Sequence, residues 1–118
     1  MEYLLLIHTN PATIAALSAA ERDQTFAAYM AYTEALGKAQ VLRGSNRLRP
    51  ASSATTVRLR EGKTEVHNGP FAETREELGG YFLIDVPDLD VALTWAARCP
   101  AASHGAMEVR PVWRRGEA

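Results

Sequence analysis

Two segments of the chain are apolar on both of the faces that a β-strand presents. Residues 3–8 read Tyr-Leu-Leu-Leu-Ile-His, and residues 81–86 read Tyr-Phe-Leu-Ile-Asp-Val. In each segment, the odd and the even positions are both mostly hydrophobic. A strand with this pattern is typical of the centre of a sheet that is covered on both sides. The pattern therefore predicts two central strands.

Two other segments carry the signals of helices. Ser18 and Glu21 have the spacing of a capping box, which predicts a helix from Ser18 to about residues 37–38. Asp88 is the predicted N-cap of a second helix, which Pro100 ends. Five residues of the first helix should point inward: Phe26, Tyr29, Met30, Thr33 and Leu36. Tyr32 should lie outside this inward face. The second should turn four residues inward: Leu89, Ala92, Leu93 and Ala96.

The middle of the chain predicts a β-hairpin. Residues 55–60 and 63–67 alternate in polarity on either side of Glu61–Gly62. A two-residue turn places Val57 opposite Val66 and Arg58 opposite Glu65, and both pairs are favourable cross-strand neighbours. Asn68–Gly69–Pro70 should then form a turn.

The remaining segments carry weaker signals. A strand starts at Val41–Leu42 and is expected to fade into a polar loop from Gly44. Thr74–Glu77 resembles a second capping box, which predicts a single helical turn that Gly79 ends. The last strand is expected at residues 107–113.

The resulting order, β-α-β-(ββ)-β-α-β, predicts an α+β fold of the ferredoxin-like type with an inserted hairpin. Two helices cover only one face of such a sheet. The apolar residues on the other face of the central strands would then form a large exposed patch. We therefore expect a homodimer in which two sheets pack face to face as a dimeric α+β barrel.

Composition narrows the range of functions. The 118 residues are expected to form one domain, residues 1–118. The formal net charge is −1 and no basic run exceeds Arg114–Arg115, which argues against nucleic acid and against a membrane surface as partners. The single cysteine, Cys99, and three scattered histidines indicate no metal site, and no motif indicates a cofactor. The short apolar start lacks the features of a signal peptide, so we expect a cytoplasmic protein.

Residues 68–82, which read Asn-Gly-Pro-Phe-Ala-Glu-Thr-Arg-Glu-Glu-Leu-Gly-Gly-Tyr-Phe, resemble the signature of the YCII-related family in its DGPF subgroup. The similarity continues through residues 95–102 and 108–112 and covers nearly the whole chain. The resemblance implies a bacterial protein with a dimeric α+β barrel fold. It also implies an accessory role, linked to an extracytoplasmic-function sigma factor.

The sequence departs from this family at the positions that matter for chemistry. Asn68 stands where the subgroup usually has Asp. The wider family has a His in the first helix and an Asp near the end of the last helix, which form its proposed active site. These positions fall at about Tyr29 and Cys99, whose side chains ordinarily titrate near 10 and 8.5 and do not replace a His–Asp acid/base pair.

Four residues are candidates for ligand contacts, and none is assigned a catalytic role. His8 extends the second face of the first strand, and Tyr81 opens the other central strand after two glycines. Tyr29 points inward from the first helix, and the Asn68 amide offers donors and an acceptor. Each also has an ordinary structural explanation: a core tyrosine that meets a polar partner, or an asparagine that closes a turn.

Three functions therefore stay open. The first is binding of a small molecule in a cleft between sheet and helices, with an accessory or regulatory role. The second is a cofactor-independent lyase, isomerase or dehydrochlorinase that acts on a small ring compound, as related α+β barrels do. The third is a structural dimer or interaction module that uses Tyr32 and Trp113 as partner contacts.

Overall fold

The structure is a computed structural model that describes residues 1–117. It contains six strands and three α-helices in the order β1 (Glu2–Thr9), α1 (Pro11–Ala15), α2 (Ala19–Lys38), β2 (Leu42–Arg47), β3 (Thr55–Arg60), β4 (Lys63–Asn68), β5 (Glu77–Asp85), α3 (Leu89–Arg98) and β6 (Ala106–Pro111).

Four of the strands form an antiparallel sheet in the order β2-β5-β1-β6. β1 and β5 take the two central positions, as their two-sided apolar patterns predict. β3 and β4 form a separate two-stranded sheet. The predicted α+β class is confirmed, and the strand order is that of a ferredoxin-like sheet. The short helix α1, capped by the Asn10 side chain, was not predicted.

The hydrophobic core lies between one face of this sheet and helices α2 and α3. Alternate residues of the central strands enter it, and Leu5, Leu36 and Ile84 are completely buried. Both predicted helix caps are present. The Ser18 hydroxyl accepts from the Glu21 amide at 3.1 Å while the Glu21 carboxylate accepts from the Ser18 amide at 3.0 Å. The Asp88 carboxylate accepts from the Val91 amide at 3.0 Å.

The predicted inward face of α2 is only partly right. Leu36 is buried and Tyr29 packs against the core, as predicted. Tyr32, however, is 5% exposed, whereas Phe26 is 66% and Met30 58% exposed. The Tyr32 ring packs edge-on against Phe82 with a centroid distance of 5.1 Å, and its hydroxyl donates to the Trp95 carbonyl at 2.8 Å. Because the helix is rich in alanine and has apolar residues around most of its circumference, its pattern favours no single face. Tyr32 is therefore a core residue and not a partner contact.

The prediction for α3 is half right. Ala92 and Ala96 are buried, but Leu89 and Leu93 are largely exposed. Val91 and Trp95 pack against the core in their place. Small residues on this face allow α3 to lie close to the sheet, so the longer leucines remain outside.

The hairpin β3–β4 has the predicted turn and register. Val57 pairs with Val66 and Arg58 with Glu65, and Glu61 and Gly62 have the φ values of 50° and 75° that a two-residue hairpin turn requires. We call this hairpin, residues 55–68, the arm. Its apolar face consists of Val57, Leu59 and Val66, which are 61%, 72% and 64% exposed.

Four local predictions are wrong. Strand β2 continues through Arg47 and does not fade at Gly44, because its backbone pairs with β5 whatever side chains it carries. Residues 74–76 do not form a helical turn, and β5 begins at Glu77, before the predicted start at Tyr81. Gly79 consequently lies inside a strand, where its carbonyl accepts a hydrogen bond from the Leu48 amide. The last strand ends at Pro111, two residues early.

Candidate functional site

None of the elements formed by residues 1–117 covers the face of the four-stranded sheet opposite the helices. We call it the open face. Its centre is an apolar floor of Leu4, Leu6 and Leu83, all partly exposed. The cross-strand pairs Leu6–Tyr81 and Leu6–Glu108 place a polar side chain on each side of this floor.

Tyr81 lies on the open face beside Asn46. The two residues pair across β5 and β2, and the Asn46 amide donates to the Tyr81 hydroxyl at 2.8 Å. Since the phenol oxygen accepts this hydrogen bond, its own O–H remains available to donate to a ligand. Asn46 thus orients a hydrogen-bond donor over the apolar floor.

His8 lies on the same face, and its Nε2 is 3.1 Å from a carboxylate oxygen of Glu108. The Arg110 guanidinium, which contacts the other carboxylate oxygen, and the His8 contact lower the pKa of Glu108. An ionised carboxylate only accepts hydrogen bonds, so His8 donates from Nε2. In the neutral imidazole, Nδ1 is then the acceptor.

His8 and Tyr81 are near neighbours on adjacent strands, because Tyr81 pairs with Leu6, two residues before His8, and the register of β1 and β5 shifts between Ile7 and His8. The open face therefore presents an acceptor and a donor side by side at one end of a patch of leucine side chains. Such convergence of a few polar groups on an apolar surface is typical of small-molecule sites.

Tyr29 lies on the other side of the sheet, among the side chains that pack against the core. Burial, together with the nearby Cys99 thiol, raises the pKa of Tyr29 to about 12, although Arg47 opposes the shift. Burial raises the pKa of the Cys99 thiol, although the nearby Tyr29 hydroxyl opposes the shift. Both groups thus keep their protons at neutral pH, so this pair has a hydrogen-bond donor but no base.

Asn68 is the last residue of β4 and lies exposed at the base of the arm, where it pairs with Thr55. The adjacent Gly69 has a φ of 136°, and its amide and carbonyl bond to the Ala54 carbonyl and the Thr56 hydroxyl. Phe71 then stacks on the Arg58 guanidinium at 4.9 Å. The Asn-Gly-Pro-Phe stretch therefore closes the arm at its base.

Of the four candidates, the structure brings only His8 and Tyr81 together. A ligand contact at any of the four stays a prediction. Sequence reasoning missed Asn46 and Glu108, which complete the site. Alternation along the last strand was a usable signal for Glu108, whereas Asn46 lay in a stretch interpreted as loop.

Two open cavities lie away from these residues. One, of about 290 Å³, follows the polar face of the arm between Arg58, His67 and Phe71. The other, of about 330 Å³, lies beside the first residues of the chain, Asp85 and Trp113. Core side chains fill the layer between the sheet and the helices, where a ligand cleft was expected. The two polar candidates that lie together, His8 and Tyr81, are on the open face instead.

Two further findings concern residues 1–117. No three His, Cys, Asp or Glu side chains in this range are arranged to hold a metal ion. None of the helices formed by these residues has the length and apolar character needed to cross a bilayer.

The fold and the open face define a class: a ferredoxin-like α+β domain with one bare, partly apolar sheet face. Within this class, residues 1–115 match the YCII-related domain, and the chain belongs to that family. An uncharacterised protein of Rhizobium meliloti is 37% identical to it over 114 residues, which cover 95% of this chain and 92% of that protein. Placement in the DGPF subgroup stays a prediction.

A solved structure of the 5-chloro-2-hydroxyhydroquinone dehydrochlorinase TftG from Burkholderia phenoliruptrix, in complex with 2,5-dihydroxybenzoquinone, has a similar fold. The TM-score is 0.58 and the identity 17%, over 98% of this chain and 96% of that one. At this identity the similarity concerns the fold alone.

Proposed function

We propose that this protein binds a small planar molecule on the open face and that a second copy of the chain covers the site. The observation that carries the proposal is the placement of His8 and Tyr81 next to each other at one end of the leucine floor. The helical face of the sheet is already filled by the core. A ligand therefore has room on the open face and not in the layer between sheet and helices.

The chemistry of the site favours a planar ring that carries both hydroxyl and carbonyl oxygens. The Tyr81 O–H would donate to a carbonyl or phenolate oxygen, and His8 Nδ1 would accept from a hydroxyl. Leu4, Leu6 and Leu83 would contact the face of the ring. The 2,5-dihydroxybenzoquinone bound in the TftG structure belongs to this class and supports the choice of probe.

The apolar floor also supports the homodimer. Leu4, Leu6 and Leu83 lie next to each other on neighbouring strands, and no element of the described chain packs over them. A contiguous apolar patch of this kind marks an interface or a binding site. Two copies related by a two-fold axis would cover the patch and exclude water from the ligand.

Differential scanning calorimetry with 2,5-dihydroxybenzoquinone tests the binding site. A ligand that binds only the folded state stabilises it by about 2.7 kcal/mol at one hundred times its dissociation constant, so the melting temperature should rise. Tyr81→Phe removes a single hydrogen bond and should weaken binding about tenfold. His8→Ala should weaken it by at least as much.

Tyr29→Phe is the matched control, because it also removes one phenol oxygen but lies on the covered face. The proposal requires that this variant keep the wild-type affinity. No change in melting temperature with the quinone or related dihydroxy aromatics, or equal losses in all three variants, would rule out the open face as the ligand site.

The His8–Glu108 pair favours a second candidate, a cofactor-independent enzyme. A histidine that is oriented by a carboxylate is the usual arrangement of a general base. His8 Nδ1 would take a proton from a ring carbon or hydroxyl, and the Tyr81 O–H would stabilise the developing oxyanion. Elimination of a halide from a chlorinated hydroxyhydroquinone would be one such reaction.

Release of chloride from 5-chloro-2-hydroxyhydroquinone distinguishes the two candidates. An enzyme should lose turnover in His8→Gln by a factor of about 10²–10⁴, the usual contribution of a general base, while the ligand still raises the melting temperature. Binding without chloride release in the wild type would support the pure binding protein. The sigma-factor link and the interaction-module role stay predictions.

A further inference from the structure

From the shape of the chain and the exposure of the arm, we infer that the apolar face of the arm docks on the second copy and forms part of the dimer interface. The inference rests on the homodimer proposed above. It adds a surface, Val57, Leu59 and Val66, that lies outside the four-stranded sheet.

The arm projects from the body of the molecule. The Cα radius of gyration is 16.4 Å, whereas a compact chain of this length has about 13–14 Å. The molecule measures 49 × 46 × 18 Å. Because the shortest dimension is that of a sheet with one helical layer, the arm extends the body sideways and does not fold back over it.

The two faces of the arm differ. Phe71 and the Arg60–Glu65 ion pair occupy the polar face. On the apolar face, the three large side chains are each more than half exposed. A two-stranded ribbon is marginally stable in water, and its apolar face ordinarily packs on a third element. In the described chain, no other strand or helix takes that position.

The area of the interface points to a second copy as the occupant. With strands about 4.8 Å apart and about 3.3 Å per residue, the four-stranded open face has a footprint of about 400 Å² and the arm face adds about 200 Å². Stable interfaces bury about 800 Å² of accessible surface on each partner. The arm face would therefore enlarge the planar contact area of the open face by about half, which favours a second copy as the occupant because stable interfaces are large.

The arm also adjoins the proposed interface. Residues 48–54 connect the arm to the end of β2, which carries Asn46, and residues 69–76 connect it to β5, which carries Tyr81. Both strands that lead to the arm therefore carry open-face residues. A partner seated on the open face lies beside the base of both arm strands, and two-fold symmetry presents each arm to the other copy.

Photo-cross-linking tests the contact directly. p-Benzoylphenylalanine replaces Leu59, and ¹⁵N-labelled and unlabelled protein are mixed, dimerised and irradiated. We expect cross-linked peptide pairs that combine one labelled and one unlabelled peptide. The same group at Ala97, an exposed position on α3, is the control and should give no such pairs.

Leu59→Glu gives an independent measurement. Leu59 is 72% exposed in the single chain, so the substitution should leave folding intact. A carboxylate at an apolar interface should raise the dimer dissociation constant, measured by sedimentation equilibrium, at least about tenfold. Lys63→Gln changes the charge by the same amount at the arm's turn, and its dissociation constant should stay within about threefold of the wild type, as for a rim position.

The outcomes separate this inference from the proposed dimer. A wild-type dimer with no mixed-isotope pairs, and with the same dissociation constant in Leu59→Glu, would overturn the arm contact and leave the open-face dimer standing. A wild-type chain that stays monomeric at all concentrations would overturn both. Mixed pairs together with the predicted loss of affinity would establish the arm as part of the interface.

Discussion

At the scale of single residues, Tyr29 and Cys99 are close enough in the core to influence each other's pKa, and the family resemblance implies that they stand at about the positions of an acid/base pair. The phenol and the thiol are both held in their protonated forms by burial. This pair therefore does not titrate near neutral pH. This is the physical reason for placing the proposed chemistry at His8 and Tyr81.

The raised pKa of Tyr29 predicts a specific loss of stability in alkali. An unfolded tyrosine ionises near pH 10, whereas folded Tyr29 keeps its proton to about pH 12. Its contribution to the free energy of unfolding is complete below pH 10 and is lost as the pH rises toward 12. Tyr29→Phe should therefore show a shallower fall of this free energy above pH 10, measured by urea unfolding.

Burial also raises the pKa of Tyr32. The free energy of unfolding of Tyr29→Phe should therefore still fall to some extent with rising pH. Ile84→Val serves as the control, because it lowers the free energy of unfolding by about 1 kcal/mol without removing a titrating group, so its pH dependence should match the wild type. Equal slopes in wild type and Tyr29→Phe would contradict the assignment.

Adjacent glycines in β5 differ in how much space surrounds them. A Cβ on Gly80 would lie 2.7 Å from the Asn46 carbonyl oxygen, whereas a Cβ on Gly79 meets nothing nearer than 3.6 Å. Gly80→Ala should thus push β2 away and cost about 1–3 kcal/mol of stability, as overpacked sites do. Gly79→Ala should be close to neutral. Thermal unfolding of the two variants measures the difference in stability. Equal losses of stability would show that β2 shifts to accommodate the methyl group at Gly80 without an additional cost.

At the scale of elements, the sequence pattern predicts where helices α2 and α3 begin better than it predicts which of their faces are buried. Local hydrogen bonds decide where a helix begins, and both caps were predictable from Ser18, Glu21 and Asp88. Which face turns inward depends on the shape of the sheet beneath. On α2, Tyr32 fits against Phe82 and reaches the Trp95 carbonyl, a partner more than sixty residues away in sequence. No pattern within the helix contains that information.

This orientation predicts opposite outcomes for two aromatic residues on α2. Tyr32→Ala should cost about 3–5 kcal/mol, as for other buried aromatic side chains. Phe26→Ala should change stability by less than about 0.5 kcal/mol in the monomer, as at most surface positions. Urea unfolding of both variants at low protein concentration makes the comparison. The reverse order would restore the inward face that the sequence pattern indicated.

At the scale of the whole molecule, the open face links the fold to the proposed function. The same leucines that a second copy would cover form the floor on which a ligand would lie. Dimerisation and binding are consequently expected to support each other, since a partner removes water from the site.

Dimer formation through the open face predicts a melting temperature that depends on protein concentration. Association stabilises the folded state by mass action, so the wild-type melting temperature should rise over a hundredfold increase in concentration. Leu6→Glu should abolish this dependence, because it places a carboxylate at the centre of the leucine floor. Ala97→Glu, on the exposed side of α3, should retain it. A wild-type melting temperature that is constant with concentration would contradict the dimer.

Local signals in the amino-acid sequence were enough to identify the six strands, helices α2 and α3, their order and the hairpin register, although not the short helix α1. Alternation showed which strands are central, caps showed where helices begin, and a two-residue turn aligned Val57 with Val66. These features depend on residues that are close in sequence or directly hydrogen-bonded. The match to residues 1–115 of the YCII-related domain has the same origin, because it rests on the order of residues along the chain.

Only the tertiary structure decided which helix faces are buried, how far β2 and β5 extend and which polar groups meet. Strand ends are set by backbone pairing with a neighbour, so β2 continues through polar residues that resemble a loop. His8 meets Glu108 and Tyr81 meets Asn46 because four strands, distant in sequence, lie side by side. Contacts of this kind depend on the assembled sheet, and no single segment of the chain encodes them.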